Sequence, residues 1–285
     1  MLRDLLASLC PTPALTLTLG GVVLVSILAP AQVAGQETRD TVDVFFLGNS
    51  YVYYNNLADQ LAELSEALSA GPVLRTGHHL HGGFSLRRHL EDGHLPGALE
   101  GTAPDGDAWD VVVVQEHSRL GVPYADEASG TIGDPAPFEE AAAEAVDMVE
   151  GLGSEAVLYM TWAKQAFPGQ GEKLASAYES VAAQNHVDVA PAGRAWMRVR
   201  EERPDIRMFH PDGSHPSPAG TYLNACVFYV TLTGRSPIGA PTELWGVEMS
   251  TPGVVVADER IPLVRLDPEM ALYLQTVAWE TPQGS

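Results

Sequence analysis

Three polar residues have the types and the order that acyl transfer requires. Ser50 follows Gly48 and Asn49 directly after an apolar run, and Asp212 and His215 lie three residues apart late in the chain. A serine nucleophile needs a neutral imidazole to take its proton and a carboxylate to hold that imidazole in the right tautomer. The order Ser, Asp, His is compatible with such a triad, in which Ser50 attacks, His215 is the base and Asp212 orients it.

Each block also has a plainer interpretation. Gly, Asn and Ser are ordinary turn residues, and Ser50 could do no more than cap the helix that follows. Asp212 and Ser217 could likewise cap a solvent-exposed turn. A turn alone would not require a histidine, however, so the second block favours the catalytic interpretation.

The rest of the pattern predicts the scaffold that positions these residues. From residue 42 onward, short apolar runs alternate with amphipathic stretches, which is typical of a parallel sheet covered by helices on both faces. We predict a single domain at 42–280, an α/β fold with a three-layer α/β/α sandwich and a mostly parallel five-stranded sheet. Because the carboxyl ends of the strands carry the ligand site in such sheets, Ser50 would point into the crevice. Strands are predicted at 42–47, 73–80, 109–115, 156–161 and 187–190, and helices at 56–69, 85–91, 137–150, 172–185, 193–202, 218–233 and 270–279, with 234–266 an ordered connection or a hairpin.

Four separate blocks resemble the SGNH hydrolases, also called GDSL-like esterases and lipases. The sequence Gly48-Asn49-Ser50 is similar to their nucleophile block, and Asp212-Gly213-Ser214-His215 is similar to their Asp-x-x-His block. Gly82-Gly83-Phe84-Ser85 follows the second predicted strand and Gln115 ends the third, at the places where the family has a glycine and an asparagine. The resemblance spans 42–280, is greatest to an exported branch and implies the SGNH or flavodoxin-like fold.

The resemblance also implies an oxyanion hole. In the family, the amides of the nucleophile and of the glycine act together with the asparagine side chain, which here corresponds to Ser50, Gly83 and Gln115. Two residues depart from the pattern: Asn49 replaces the family's aspartate, and Gln115 offers its amide one methylene further out than asparagine would. We expect Gln115 to be the third donor.

Aromatic residues beyond the strand ends are candidates for a substrate subsite. Tyr51 follows the nucleophile and Trp162 follows the fourth predicted strand, so both are predicted to bind substrate. Tyr53 and Tyr54 are instead expected to pack in the core.

Nine histidines raise the question of a metal, but no pair has the His-x-x-x-His spacing with an adjacent glutamate that a zinc helix would show. We expect no metal and no cofactor. His117 and His210 flank the predicted site and could be mistaken for the base. The spacing from Asp212 favours His215.

Charge and the N-terminal segment bound the function further. The chain has 285 residues and a formal charge of -21, which argues against a nucleic-acid partner because phosphate binding needs cationic contacts.

Residues 1–34 contain an uncharged apolar run followed by small residues, which predicts a signal peptide or an N-terminal anchor. We expect a secreted or periplasmic protein that meets a membrane only if this segment is uncleaved. After cleavage, Cys226 would remain as the one cysteine.

The predicted function is a serine esterase that cleaves a short acyl ester, with acetyl on a carbohydrate as the expected substrate. The partner would therefore be a small-molecule or glycan ester. Two alternatives stay open at this stage: a glycan-binding protein that retains the fold without turnover, and an acyltransferase that uses an acceptor alcohol in place of water.

Overall fold

Short runs of β-branched and aromatic residues form the central sheet of the protein in a computed structural model. Its strands are β1 (Thr41–Gly48), β2 (Val73–Leu80), β3 (Val111–Val114), β4 (Glu155–Tyr159) and β5 (Asp188–Ala190). They pair in parallel in the order β2-β1-β3-β4-β5, so β1 lies inside the sheet, between β2 and β3. The carboxyl ends of all five strands therefore meet at one edge. The structure describes residues 40–69, 71–93, 95–99, 103–104, 108–120, 132–250 and 254–283.

Helices cover both faces of this sheet because successive residues of the strands point to opposite sides. On β1, Val44 and Phe46 belong to one hydrophobic core, while Phe45 and Leu47 belong to a second core on the other face. The helices are α1 (Ser50–Tyr53), α2 (Leu57–Ala67), α3 (Leu86–Glu91), α4 (Leu95–Leu99), α5 (Ala136–Gly151), α6 (Gly171–Asn185), α7 (Ala192–Glu202), α8 (Pro218–Thr233) and α9 (Pro268–Glu280), and Pro168–Gln170 forms a 3-10 turn.

The helices begin and end where their sequences predict. Ser217 accepts a hydrogen bond from the backbone N–H of Gly220 and so caps α8, and Asp267 caps α9 through the N–H of Met270. Gly234, with φ of +64°, ends α8 in the left-handed conformation that glycine adopts without strain. The Ser217 cap sets the start of α8 directly after the loop that carries Asp212 and His215.

The predicted α/β fold with a five-stranded sheet is confirmed, and the differences lie in details. The third strand is shorter than predicted and ends at Val114, and the four-residue helix α1 was absent from the prediction. The stretch 234–266, expected to be a connection or a hairpin, contains the antiparallel pair β6 (Glu243–Ser250) and β7 (Val254–Arg265).

Two further predictions concern the N-terminal segment and the cysteine that would remain after its cleavage. The predicted signal peptide or anchor at 1–34 lies outside the described residues. Among the described helices, none has the length and the apolar character needed to cross a membrane. Cys226 is a buried free cysteine in α8, and burial raises the pKa of its thiol.

Candidate active site

The turn after β1 presents Ser50 at the carboxyl edge of the sheet. Asn49 caps α1 by accepting a hydrogen bond from the backbone N–H of Tyr51 at 3.1 Å. Gly48 allows the turn to be this tight, because a Cβ there would lie 2.6 Å from Gln115 Oε1 and 2.9 Å from the side chain of Val52. The sequence Gly-Asn-Ser thus places the nucleophile candidate at the first position of a helix.

A loop between α7 and α8 presents the other two triad candidates. Phe209 and Pro216 form an antiparallel bridge, and within it the N–H of His210 donates to the carbonyl of His215 at 2.8 Å. Gly213 turns the loop with φ of +70°, a conformation that favours glycine. The backbone therefore helps to close the loop around Asp212.

The structure brings the three predicted catalytic side chains together. Ser50 Oγ lies 2.8 Å from His215 Nε2, and His215 Nδ1 lies 2.7 Å from Asp212 Oδ2. The Oδ1 atom of Asp212 accepts hydrogen bonds from the backbone N–H groups of Ser214 and His215, at 2.8 and 2.9 Å. Ser50 and His215 are 165 residues apart in the sequence, so the fold builds this chain of hydrogen bonds.

The surroundings keep Asp212 ionised. Partial burial opposes its charge, but the amide of Ser214 and the imidazole of His215, together with the amide of His215 and the imidazole of His210, outweigh burial and hold the pKa of the carboxyl well below its ordinary value. An ionised carboxylate is the form that can stabilise an imidazolium at His215.

Aromatic rings fix the position of the His215 imidazole. The Tyr54 ring stacks on it at a centroid distance of 3.9 Å and 7° between planes, and the Tyr51 ring meets it edge-on at 5.6 Å. The Tyr51 hydroxyl lies 2.8 Å from Ser214 Oγ. Tyr54, which was expected in the core, is partly buried: it packs against the core and also stacks on His215.

The two predicted substrate-binding aromatics differ in position. Tyr51 lines the cavity in front of Ser50. Tyr53, which was expected in the core, is a buried core residue that also lines this cavity. Trp162 is 2% exposed and does not line that cavity; it stacks between Tyr51 and Trp196, at 4.6 and 3.8 Å, and its Nε1–H donates to the Ser214 carbonyl at 3.1 Å. The structure thus places Trp162 beneath the Asp212 loop.

A cavity of about 410 Å³ opens in front of the triad. Besides Ser50 and His215, its walls carry Gly83, His117 and Lys164. Burial, together with the charges of Arg119 and Lys164, lowers the pKa of His117 to about 4, so this second imidazole is neutral at neutral pH.

The three predicted oxyanion donors occupy different positions. Gly83 lies in the cavity wall with φ of +73°, close to Ser50 along the same edge. Gln115 is fully buried and its side chain is engaged with Asn49: Nε2 donates to Asn49 Oδ1 at 2.9 Å, and Oε1 accepts from the Asn49 N–H at 3.2 Å. The Gln115 amide therefore holds the turn before the nucleophile and does not line the cavity.

Two contacts at the site could not be predicted from the sequence. His210, expected beside the site, contacts Asp212 itself: its Nδ1 lies 2.9 Å from Asp212 Oδ2, and Nδ1–H donates because the ionised carboxylate can only accept. Its separation of two residues from Asp212 was the available signal. His89 is buried, and its Nε2 lies 2.9 Å from the carbonyl oxygen of Gly48. In the described parts of the chain, no group of three or more His, Cys, Asp or Glu side chains could hold a metal ion.

Comparison with known proteins gives matches among solved structures, whereas no family model and no curated protein matches the chain. A protein from Slackia heliotrinireducens described as an SGNH hydrolase is 29% identical, with a TM-score of 0.51 over 68% of this chain and 100% of that one. A DUF4886 family protein from Bacteroides uniformis is 21% identical, with a TM-score of 0.57 over 84% and 94%. An acetylxylan esterase from Geobacillus stearothermophilus is 12% identical, with a TM-score of 0.53 over 71% and 99%. The last two likenesses concern the fold alone.

Proposed function

Since the chain belongs to the SGNH hydrolase superfamily, we propose that it is a serine esterase in which Ser50, His215 and Asp212 form the catalytic triad. The observation that carries the proposal is the unbroken chain of hydrogen bonds from Ser50 Oγ through His215 to Asp212 Oδ2, at 2.8 and 2.7 Å. It lies at the mouth of a cavity that can admit an ester.

The geometry suits acyl transfer in two half-reactions. The Ser50 hydroxyl donates to His215 Nε2, which takes the proton as Oγ attacks the ester carbonyl. The imidazolium then gives this proton to the leaving alcohol, and an acyl group remains on Ser50. Water, activated by the same imidazole, releases the acid. Throughout, the ionised Asp212 accepts a hydrogen bond from Nδ1–H and stabilises the imidazolium.

The oxyanion of each tetrahedral intermediate needs donors that face the cavity. The backbone N–H groups of Ser50 and Gly83 are the proposed donors, because both residues line the cavity wall. Gln115 Nε2 keeps a second N–H besides the one that Asn49 Oδ1 accepts, but Gln115 is fully buried and does not line the cavity. We therefore propose that Gln115 acts on the site through Asn49, and its role as a donor stays a prediction.

The proposed substrate is a short acyl ester of a hydroxyl-rich alcohol, with acetyl on a carbohydrate as the first choice, and the proposed location is outside the cytoplasm. The cavity walls support a polar alcohol, since they carry hydroxyl, imidazole and ammonium groups from Tyr51, Ser118, His117 and Lys164. One of the proteins with the same fold is an acetylxylan esterase, which suggests the acetyl group.

Replacing Ser50 tests the mechanism. Ser50→Ala removes the nucleophile and should lower kcat on a chromogenic acetyl ester by about 10⁴-fold or more, with an unchanged melting temperature. Ser118→Ala is the matched control, because Ser118 is a buried serine in the wall of the same cavity. A fluorophosphonate probe should label the wild type and Ser118→Ala but not Ser50→Ala. Labelling of Ser50→Ala together with wild-type turnover would exclude the proposed nucleophile.

A substrate panel tests the acyl group and the alcohol. Aryl esters of increasing acyl length should give the highest kcat/KM at two to four carbons, and acetylated oligosaccharides should release acetate. A maximum at eight carbons or longer, with no acetate released from glycans, would contradict the substrate proposal while leaving the mechanism in place.

A further inference from the structure

The triad carboxylate is shared by two imidazoles. Asp212 Oδ2 lies 2.7 Å from His215 Nδ1 and 2.9 Å from His210 Nδ1, while Oδ1 accepts from two backbone N–H groups. We propose that His210 is a positioning residue that sets how readily His215 takes up a proton, by competing with it for the charge of Asp212. This inference rests on the proposed function, in which His215 is the base.

The His210 side chain is not needed to close the loop in which it lies. The backbone N–H of His210 bonds to the His215 carbonyl, and the His210 carbonyl accepts from the Gly213 N–H. The Phe209–Pro216 bridge completes this closure. Because the main chain makes these contacts, any side chain would allow the turn, and the contact between the His210 imidazole and Asp212 is additional to it.

The ring of Tyr54 contacts both imidazoles, His210 and His215. The Tyr54 ring stacks flat on His215 and meets the His210 ring edge-on at 5.4 Å and 76°. His210 therefore approaches the carboxylate from a fixed direction, although its side chain is 47% exposed. The His215 side chain is more enclosed, at 24% exposed.

Charge makes the two imidazoles compete. The titratable groups that face His210 are Asp212 and His215 on its own loop and Tyr54 at the end of α1, and Lys164 lies in the same cavity wall as Asp212 and His215. If both imidazoles are protonated, two cations share one carboxylate and repel each other, so a proton on His210 opposes a proton on His215. His210 thereby keeps His215 free to act as a base at lower pH.

The pH profile of kcat/KM on a chromogenic acetyl ester tests this role. In His210→Ala, Asp212 interacts with His215 as its one imidazole partner and stabilises the protonated form of His215 more strongly. The midpoint of the acid limb of the kcat/KM profile should therefore rise by about 0.5 to 1 pH unit. In His210→Asn a neutral amide can still donate to Asp212 but cannot take up a proton. The acid limb of the pH profile should therefore follow a single protonation, and its midpoint should lie between the midpoints of the wild type and of His210→Ala. Substrate KM should not change.

A matched control and a measurement without turnover separate this proposal from the esterase function. His186→Asn replaces an exposed histidine after α6, at the opposite edge of the sheet, and should leave the profile unchanged. In the Ser50→Ala background, the NMR titration of the His215 ring nitrogens should show the same upward shift when His210→Ala is added. If this titration midpoint does not move, the proposal is wrong even if the enzyme is an esterase. If the titration midpoint of His215 moves and Ser50→Ala is nevertheless fully active, the proposal that both imidazoles share Asp212 is supported. The proposed esterase mechanism through Ser50 is then wrong.

Discussion

The turn that carries Ser50 is buried and is held by the Gln115 side chain, whereas the loop that carries Asp212 and His215 is more exposed and is held by its own backbone together with the Asp212 carboxylate and the Trp162 indole. Asn49 and Ser50 are 3% and 8% exposed, and the Gln115 amide joins Asn49 at two points. In the loop, the His215 and Asp212 side chains are 24% and 35% exposed. Substitutions behind the nucleophile should therefore affect folding, while those in the loop should affect catalysis and its pH dependence.

The largest expected effect belongs to the loop. His215→Ala removes the base and should lower kcat by roughly 10⁴-fold, because a triad without its imidazole keeps only binding and the oxyanion hole. The melting temperature should change little, since the backbone closes the loop. Steady-state kinetics and a thermal melt measure both quantities.

His117→Ala is the matched control for His215→Ala. His117 is the other imidazole of the cavity wall, and its Nδ1 accepts from the Arg119 N–H at 3.4 Å. Its loss should cost much less turnover than the loss of His215. An inactive His117→Ala beside an active His215→Ala would overturn the assignment of the base.

The next largest expected effect is on the free energy of unfolding and comes from Glu116, a buried residue directly after Gln115. Burial raises the pKa of Glu116 to about 7, against the hydrogen bonds that its carboxylate accepts from the N–H groups of His117 and Leu86. The folded state then holds a proton that the unfolded chain has released, so the contribution of Glu116 to stability falls as the pH rises from about 4.5 to about 7. Over this window the loss should reach about 3 kcal/mol.

Glu116→Gln removes this titration and provides the measurement. His89 and His117, whose pKa burial lowers to about 4, contribute the opposite slope, because their unfolded forms bind more protons at these pH values. The quantity to compare is therefore the free energy of unfolding of the wild type minus that of Glu116→Gln at each pH. It should decrease between pH 4.5 and pH 8. A difference that stays constant would mean that Glu116 ionises normally in the folded protein.

The scaffold could be predicted from the sequence because apolar runs and caps are local properties. The apolar run of β1 and the Asp267 cap of α9 can be recognised within a few residues. The contact between Asp212 and His215 could also be predicted, since the two residues form one short motif. The partners of Gln115 and Tyr54 could not, because Gln115 meets Asn49 across 66 residues and Tyr54 meets His215 across 161. The spacing of residues so far apart in the sequence does not indicate whether they are in contact. Such contacts can therefore be identified only from the folded structure.

The smallest expected effect tests the residue on which the sequence and the structure differ most. Gln115→Ala should leave Asn49 N–H and Oδ1 each without one buried partner, which costs about 1 to 3 kcal/mol of unfolding free energy. If Gln115 acts through Asn49, kcat should fall together with stability, and Gln115→Asn, whose amide is one methylene shorter, should recover only part of either. If Gln115 also donates to the oxyanion, kcat should fall by about 100- to 1,000-fold, which is more than the loss of stability accounts for. Chemical denaturation and single-turnover kinetics on the same two variants distinguish these outcomes, because a positioning role links the two losses and a donor role separates them.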